Sequence, residues 1–141
     1  MDKTILIPNK SIGIFHIGDN IKKYINLTYR ITRHNEDEIA YDSYQFDELG
    51  ITLWVEENKI NSIRCTKECI WKNKNLINMN FDDFLLISNQ EPDKKENIYL
   101  LVNDRGQNQM VYDFNKLGLQ IWVWREKIRT VIVSNYNEID D

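Results

Sequence analysis

Alternating apolar and polar positions mark two related segments of the chain. Aliphatic residues fall on every second position in 51–56 and again in 119–124, which is typical of a strand with one buried face. Two turn residues and a further alternating stretch follow each segment, so each predicts a β-hairpin. The aliphatic side chains are expected on the buried face, which places Trp54, Trp122 and Trp124 on the opposite one.

The two hairpins belong to an internal repeat. At an offset of 68 residues, 44–63 aligns with 112–131 without a gap, and eight of the 20 positions are identical. Each copy contains a short connection ending in a glycine, Gly50 or Gly118, which can supply a positive φ at little cost. Four strands per copy are predicted, because further strand-like stretches precede each hairpin. These stretches lie at 27–32 and 38–44 in the first copy and at 97–103 and 109–114 in the second.

A helix is predicted ahead of each set of strands. The first starts at Gly18-Asp19, where the following apolar residues are spaced for one buried face. The second starts near Asn80, where Asp82 and Asp83 suit the positive end of a helix dipole. The two predicted helices align only after a shift of a few residues, so the repeat is weaker in this part of the sequence.

The fold class predicted from these elements is α+β. The architecture is an internally duplicated module, each copy being one helix plus an antiparallel four-stranded sheet, with the two sheets packed together. The modules cover about 1–72 and 73–141 and together form a single domain. The three tryptophans are then either buried between the modules or available to a partner.

The composition is that of an ordinary soluble globular protein. The chain has 141 residues, 42% hydrophobic and 28% charged, and its longest uncharged apolar run is far below the roughly 18 residues that a membrane span requires. Positions 1–9 have neither the basic region nor the apolar stretch of a secretory signal, so we expect a cytoplasmic protein. Cys65 and Cys69 are interpreted as reduced and structural, because two thiols do not complete a zinc site.

Charge is unevenly distributed along the chain. The formal net charge is −4, which argues against nucleic-acid binding through phosphate neutralisation. Segment 36–58 contains eight acidic residues and no lysine or arginine, so it carries −8 and leaves +4 on the remainder. Such a run is either solvated surface or a field that steers a basic partner. The acidic residues are Glu36, Asp37, Glu38, Asp42, Asp47, Glu48, Glu56 and Glu57.

The sequence contains no recognisable catalytic motif. It has no G-x-S-x-G, H-E-x-x-H, P-loop or G-x-G-x-x-G pattern. His16 and His34 lie at a predicted strand start and in a charged loop, and both are interpreted as surface residues rather than partners of a nucleophile. We therefore predict no enzymatic activity, no cofactor and no metal site.

The chain resembles a family of small bacterial inhibitor proteins. The residues that carry the likeness are Ser-Ile-Gly-Ile-Phe-His-Ile-Gly-Asp at 11–19, a short helix, and the two Leu-Gly-Ile/Leu-x-Leu/Ile-Trp-Val hairpins. With these features it resembles immunity proteins of polymorphic-toxin and contact-dependent growth-inhibition systems. The resemblance implies a protein that binds the C-terminal toxin domain of a large exported effector, often a nuclease, and blocks its active site. The duplicated plan is also similar in outline to β-lactamase inhibitor proteins and to whirly-type sheets.

The resemblance and the charge distribution together suggest a function. A nuclease toxin holds phosphate with basic residues, so acids that imitate phosphate would favour an inhibitor. We expect the eight acidic residues of 36–58, with Trp124, to contact a basic toxin domain, and neither nucleic acid nor membrane to be a partner. The alternative is a small-molecule binding module or an uncharacterised enzyme that uses a cavity between the two sheets.

Overall fold

The computed structural model of the chain describes residues 4–36 and 39–134, with the backbone alone described at 34–36 and 39–40. The described elements are mostly short or medium-length strands, with a single turn of 3-10 helix at Ile21–Tyr24 and one α-helix, α1, at Phe81–Ser88. The strands are β1 (Leu6–Ile7), β2 (Ser11–Ile12), β3 (Phe15–His16), β4 (Arg30–Glu36), β5 (Ile39–Phe46), β6 (Ile51–Glu56), β7 (Lys59–Cys65), β8 (Ile70–Trp71), β9 (Lys74–Asn75), β10 (Lys94–Val102), β11 (Arg105–Phe114), β12 (Leu119–Trp124) and β13 (Lys127–Ser134).

Eight of these strands form one antiparallel sheet in the order β10-β11-β12-β13-β7-β6-β5-β4. Each predicted set of four strands is present and is a simple meander. The predicted α+β class is wrong, however, because strands make up more than half of the described residues and α1 is the only α-helix among them. The predicted boundary between modules, at 72/73, falls in the turn of the short β8–β9 hairpin.

The two sets of strands join edge to edge through β7 and β13. Cys65 lies opposite Val131, and Ile63 lies opposite Val133. The offset of 68 makes Val131 the counterpart of Ile63 and Val133 the counterpart of Cys65, so the pairing is symmetric about a local two-fold axis. The prediction of two sheets packed together is therefore wrong. Edge pairing satisfies the backbone groups of both terminal strands, which a face-to-face packing would leave unpaired.

The prediction of a helix in each module is also wrong, because the first is a single 3-10 turn. Its apolar spacing spans only one turn, and the cost of helix nucleation is not recovered over so short a segment. Asn20 and Asn80 cap the first turns of the two segments in the same way, and α1 continues to Asn89, which ends it in the left-handed conformation. Both segments still dock on equivalent hairpin turns. The amide of Ile21 donates to the carbonyl of Asn58, and the amide of Phe81 donates to the carbonyl of Glu126.

One face of the sheet, called the inner face, carries the core. The 3-10 helix and the β2–β3 hairpin cover its first half, where the ring centroid of Phe15 lies 4.9 Å from that of Phe46. α1 covers its second half, where Phe81 stacks on Tyr112 at 4.1 Å and Phe84 meets Phe114 edge-on at 5.2 Å. The aliphatic residues of the central strands complete this core. The opposite face of the sheet is called the outer face. Among the described residues, no helix or small sheet makes ring contacts of this kind with it.

Candidate functional site

The acidic residues predicted as a binding patch lie at two opposite ends of the sheet. Asp47 and Glu48 are in the turn between β5 and β6, whereas Glu56 and Glu57 are at the turn between β6 and β7. The backbone of Glu36, paired with Ile39, is at the second of these ends. Asp37 and Glu38 lie outside the described residues, as does the side chain of Glu36.

Two of the acids are paired with arginines that precede the acidic segment. Arg30 binds Asp47 through two hydrogen bonds, of 2.7 and 2.9 Å, and its guanidinium holds the pKa of that carboxyl below its ordinary value. Arg33 donates to Asp42 at 3.0 Å across the β4–β5 ladder. Arg30 and Arg33 precede segment 36–58, so the charge of −8 on that segment does not include them. The two predicted strands at 27–32 and 38–44 form one hairpin. The pairing of residues across that hairpin is the signal that could have revealed both ion pairs.

The tryptophans lie on the outer face, as the alternation predicts. Trp54 is 40% exposed, while the aliphatic residues that flank it in β6 are buried. Its ring stacks on Tyr41 with centroids 4.1 Å apart. The tryptophans are not buried between two packed sheets, because the strands of both modules form one eight-stranded sheet.

Trp122 is held in place by a chain of side-chain hydrogen bonds on the outer face. Its indole N–H donates to Gln120 at 2.8 Å, and the amide of Gln120 donates to Asp113 at 2.9 Å. Val111 and Thr130 are the cross-strand neighbours of Trp122 and are only 4% and 6% exposed. The Trp122 ring is therefore held in position by its neighbours on the outer face.

Trp124 has a basic environment at its own end of the sheet. The guanidinium carbons of Arg125 and Arg129 lie 4.4 and 5.3 Å from its ring centroid, within the range of cation–π attraction. β7 and β13 run antiparallel, so the turn beside Trp124 is at the opposite end from Glu56 and Glu57. The structure does not bring Trp124 together with these two acids.

A row of side chains connects the two halves of the outer face. Arg64 is exposed and lies opposite Ile132 across the β7–β13 junction. Thr52 continues the row on the first half, and Gln120 continues it on the second. Sequence reasoning did not single out Arg64, since only the edge-to-edge pairing places it between the two groups of aromatic residues.

Metal ligands are not assembled in the described part of the chain. No group of three or more histidine, cysteine or acidic residues is positioned to hold a metal ion there. Cys65 and Cys69 are fully buried and reduced. Their mutual hydrogen bond lowers the pKa of the Cys65 thiol and raises that of Cys69. An open depression of 570 Å³ beside the 3-10 helix contains His16 and Lys23 but none of the predicted site residues.

Comparison with protein-family models, with curated proteins and with solved structures found no match. Among the helices of the described chain, none has both the length and the apolar character needed to cross a membrane.

Proposed function

We propose that this chain is an immunity protein that binds a cognate bacterial toxin domain and neutralises it by covering its active or substrate-binding surface. The observation that carries the proposal is the outer face of the sheet. It presents Trp54, Trp122 and Trp124 with exposed Arg64 across one continuous layer. The family resemblance supports the choice of a toxin as the partner.

The composition of the outer face favours a protein partner over a small molecule. Tryptophan, tyrosine and arginine are the residues most enriched at the energetic centres of protein interfaces. Small ligands are bound in concave, enclosing pockets, whereas the aromatic residues of the outer face lie along one open sheet. The alternative function depended on a cavity between two packed sheets, and the edge-to-edge junction provides none.

The acidic residues at the rim of this interface support a basic toxin, such as a nuclease, as the partner. Glu48 and Glu57 are exposed at opposite ends of the sheet, and the chain as a whole carries −4. Rim charges of this kind act mainly on the rate of association, whereas the central aromatic residues determine how slowly the complex dissociates. We place this activity in the cytoplasm and assign the chain no catalytic step of its own.

The test is co-expression with candidate toxin domains from the neighbouring genes, scored by growth rescue and by affinity of the purified pair. Trp54→Ala and Trp124→Ala should each weaken binding by roughly thirtyfold if they are central contacts. Leu86→Ala is the matched control, because Leu86 is 78% exposed on α1, on the other side of the sheet. Failure of the wild-type chain to rescue growth would refute the toxin assignment. Weaker binding by the control alone would refute the outer face as the interface.

A further inference from the structure

β10 is an edge strand with unpaired backbone groups. Within the described part of the chain it has a neighbour, β11, on one side only. The connecting turn consists of Asn103 and Asp104, both with positive φ, so Val102 and Arg105 form the closing hydrogen-bonded pair of the hairpin. Hydrogen bonding alternates from that pair, and residues 97, 99 and 101 therefore direct their N–H and C=O groups away from β11.

The tip of this hairpin extends beyond the rest of the sheet. β12 pairs with β11 only over 110–114, so the segment nearer the turn is a two-stranded ribbon. Tyr99 and Leu101 are each 66% exposed on it. The Tyr99 ring lies over Gly106 on β11, where a Cβ atom would collide with it, so its position is fixed by the opposite strand.

The part of this edge nearest the turn, 97–102, lacks the charges that normally protect an exposed strand, because the charged residues Lys94, Lys95 and Glu96 lie at the other end of β10. Soluble proteins place lysine, proline or a bulge on such edges to prevent pairing with another chain. Residues 97–102, Asn-Ile-Tyr-Leu-Leu-Val, contain none of these. β4, at the other edge, carries the exposed arginines Arg30 and Arg33. Of the two edges of the eight-stranded sheet, the β10 edge is the one where free backbone groups coincide with an uncharged, mostly apolar stretch, 97–102.

We propose that β10 pairs antiparallel with β10 of a second copy of this chain, centred on Ile98. In this register Asn97 faces Tyr99 of the other copy, and Lys95 faces Leu101. No like charges lie opposite each other, because each charged residue of β10 meets an uncharged one. The β7–β13 junction is already a symmetric edge-to-edge pairing between the two halves of one chain, and β10 would repeat that arrangement between chains.

The pairing buries the exposed side chains of β10 and leaves the candidate site open. Residues paired across an antiparallel ladder share a face, so the Tyr99 side chains of the two copies are diagonal neighbours on the inner side and each Leu101 lies against the aliphatic stem of Lys95 of the other copy. Exposed Trp54 and half-buried Trp122 lie on the outer face and are not covered by this pairing, and the proposal stands independently of the toxin assignment.

The test compares two substitutions at one exposed position by sedimentation velocity from low to high micromolar concentration. Leu101→Lys places a lysine opposite Lys95 twice in the symmetric dimer and should raise the dissociation constant roughly tenfold. Leu101→Glu removes the same apolar side chain but faces Lys95 with an opposite charge, so it should retain the dimer. Lys95→Glu should restore dimerisation to Leu101→Lys.

Three results would overturn the proposal. The first is a wild-type chain that stays monomeric over the whole concentration range. The second is equal weakening by Leu101→Lys and Leu101→Glu, and the third is no recovery on adding Lys95→Glu. Unchanged thermal unfolding of the variants, measured alongside, separates a loss of pairing from a loss of folding, since Leu101 contributes little to the core.

Discussion

The hydroxyl of Tyr24 connects the 3-10 helix to the turn that precedes it. It donates to the carboxylate of Asp19 at 2.6 Å and lies 2.9 Å from the carbonyl oxygen of Ile14. This hydrogen bond lowers the pKa of Asp19, with Lys23 acting in the same direction. Burial, followed by the neighbouring carboxylate, raises the pKa of Tyr24. The contact stabilises the N-terminal segment where its helix is only one turn long.

Tyr24→Phe tests this contact through the pH dependence of stability. The variant should lose about 1 kcal/mol at neutral pH, because Asp19 loses its donor. A carboxyl whose pKa is lowered by folding stabilises the protein above its unfolded pKa, which is ordinarily 3.8, and loses that contribution as pH falls through the folded value. Urea unfolding should therefore show that the difference in unfolding free energy between the wild type and Tyr24→Phe is smaller at acidic than at neutral pH.

Tyr112→Phe is the matched control for that measurement. Its ring stacks on Phe81 over the inner face, but its hydroxyl has no hydrogen-bond partner in the described part of the protein. It should leave both stability and its pH dependence nearly unchanged. A Tyr24→Phe difference of equal size at both pH values would contradict a role for the Asp19 carboxylate.

At the level of single residues, the sequence predicts correctly those features that depend only on neighbouring positions along the chain. Alternation alone places Trp54 on the face opposite Leu53, and the structure confirms it. The glycine turns are also confirmed, since Gly50 and Gly118 have φ values of 66° and 63°. The ion pair between Arg30 and Asp47 was missed, because it depends on a contact between strands rather than on a count along the chain.

At the level of elements, the sequence predicts strands better than it predicts their assembly. Each set of four strands was recognised from local alternation and turn residues. The joining of the two sets through β7 and β13 was not recognised, because the sequence pattern of either strand is the same whether its edge is free or paired. The first helix was overestimated, since an apolar spacing over one turn is compatible with a 3-10 segment.

Hydrogen exchange tests the edge-to-edge junction. β7 and β13 are the two central strands of the sheet and have neighbours on both sides. Their amides at 62–65 and 131–134 should exchange only through global unfolding, the slowest process available. Amides in the tip of β10 should exchange much faster. Comparably fast exchange in β7 and β10 would contradict a continuous eight-stranded sheet.

At the scale of the whole molecule, duplication produces one layer with two unlike faces. The inner face is covered in both halves by short segments that dock on equivalent hairpin turns. The outer face combines aromatic residues of both halves, which neither half would present alone. The acidic residues, which seemed to form one patch along the sequence, are divided between the two ends of this layer.

The most direct test of the account is hydroxyl-radical footprinting of the chain, free and bound to the co-expressed toxin domain. Oxidation reports the exposure of individual side chains, so it distinguishes the two faces of the sheet. We predict that Trp54 and Trp124 lose reactivity on binding, whereas Leu86 on α1 keeps it. Protection of Leu86 with unchanged oxidation of both tryptophans would contradict the assignment of the outer face as the binding surface.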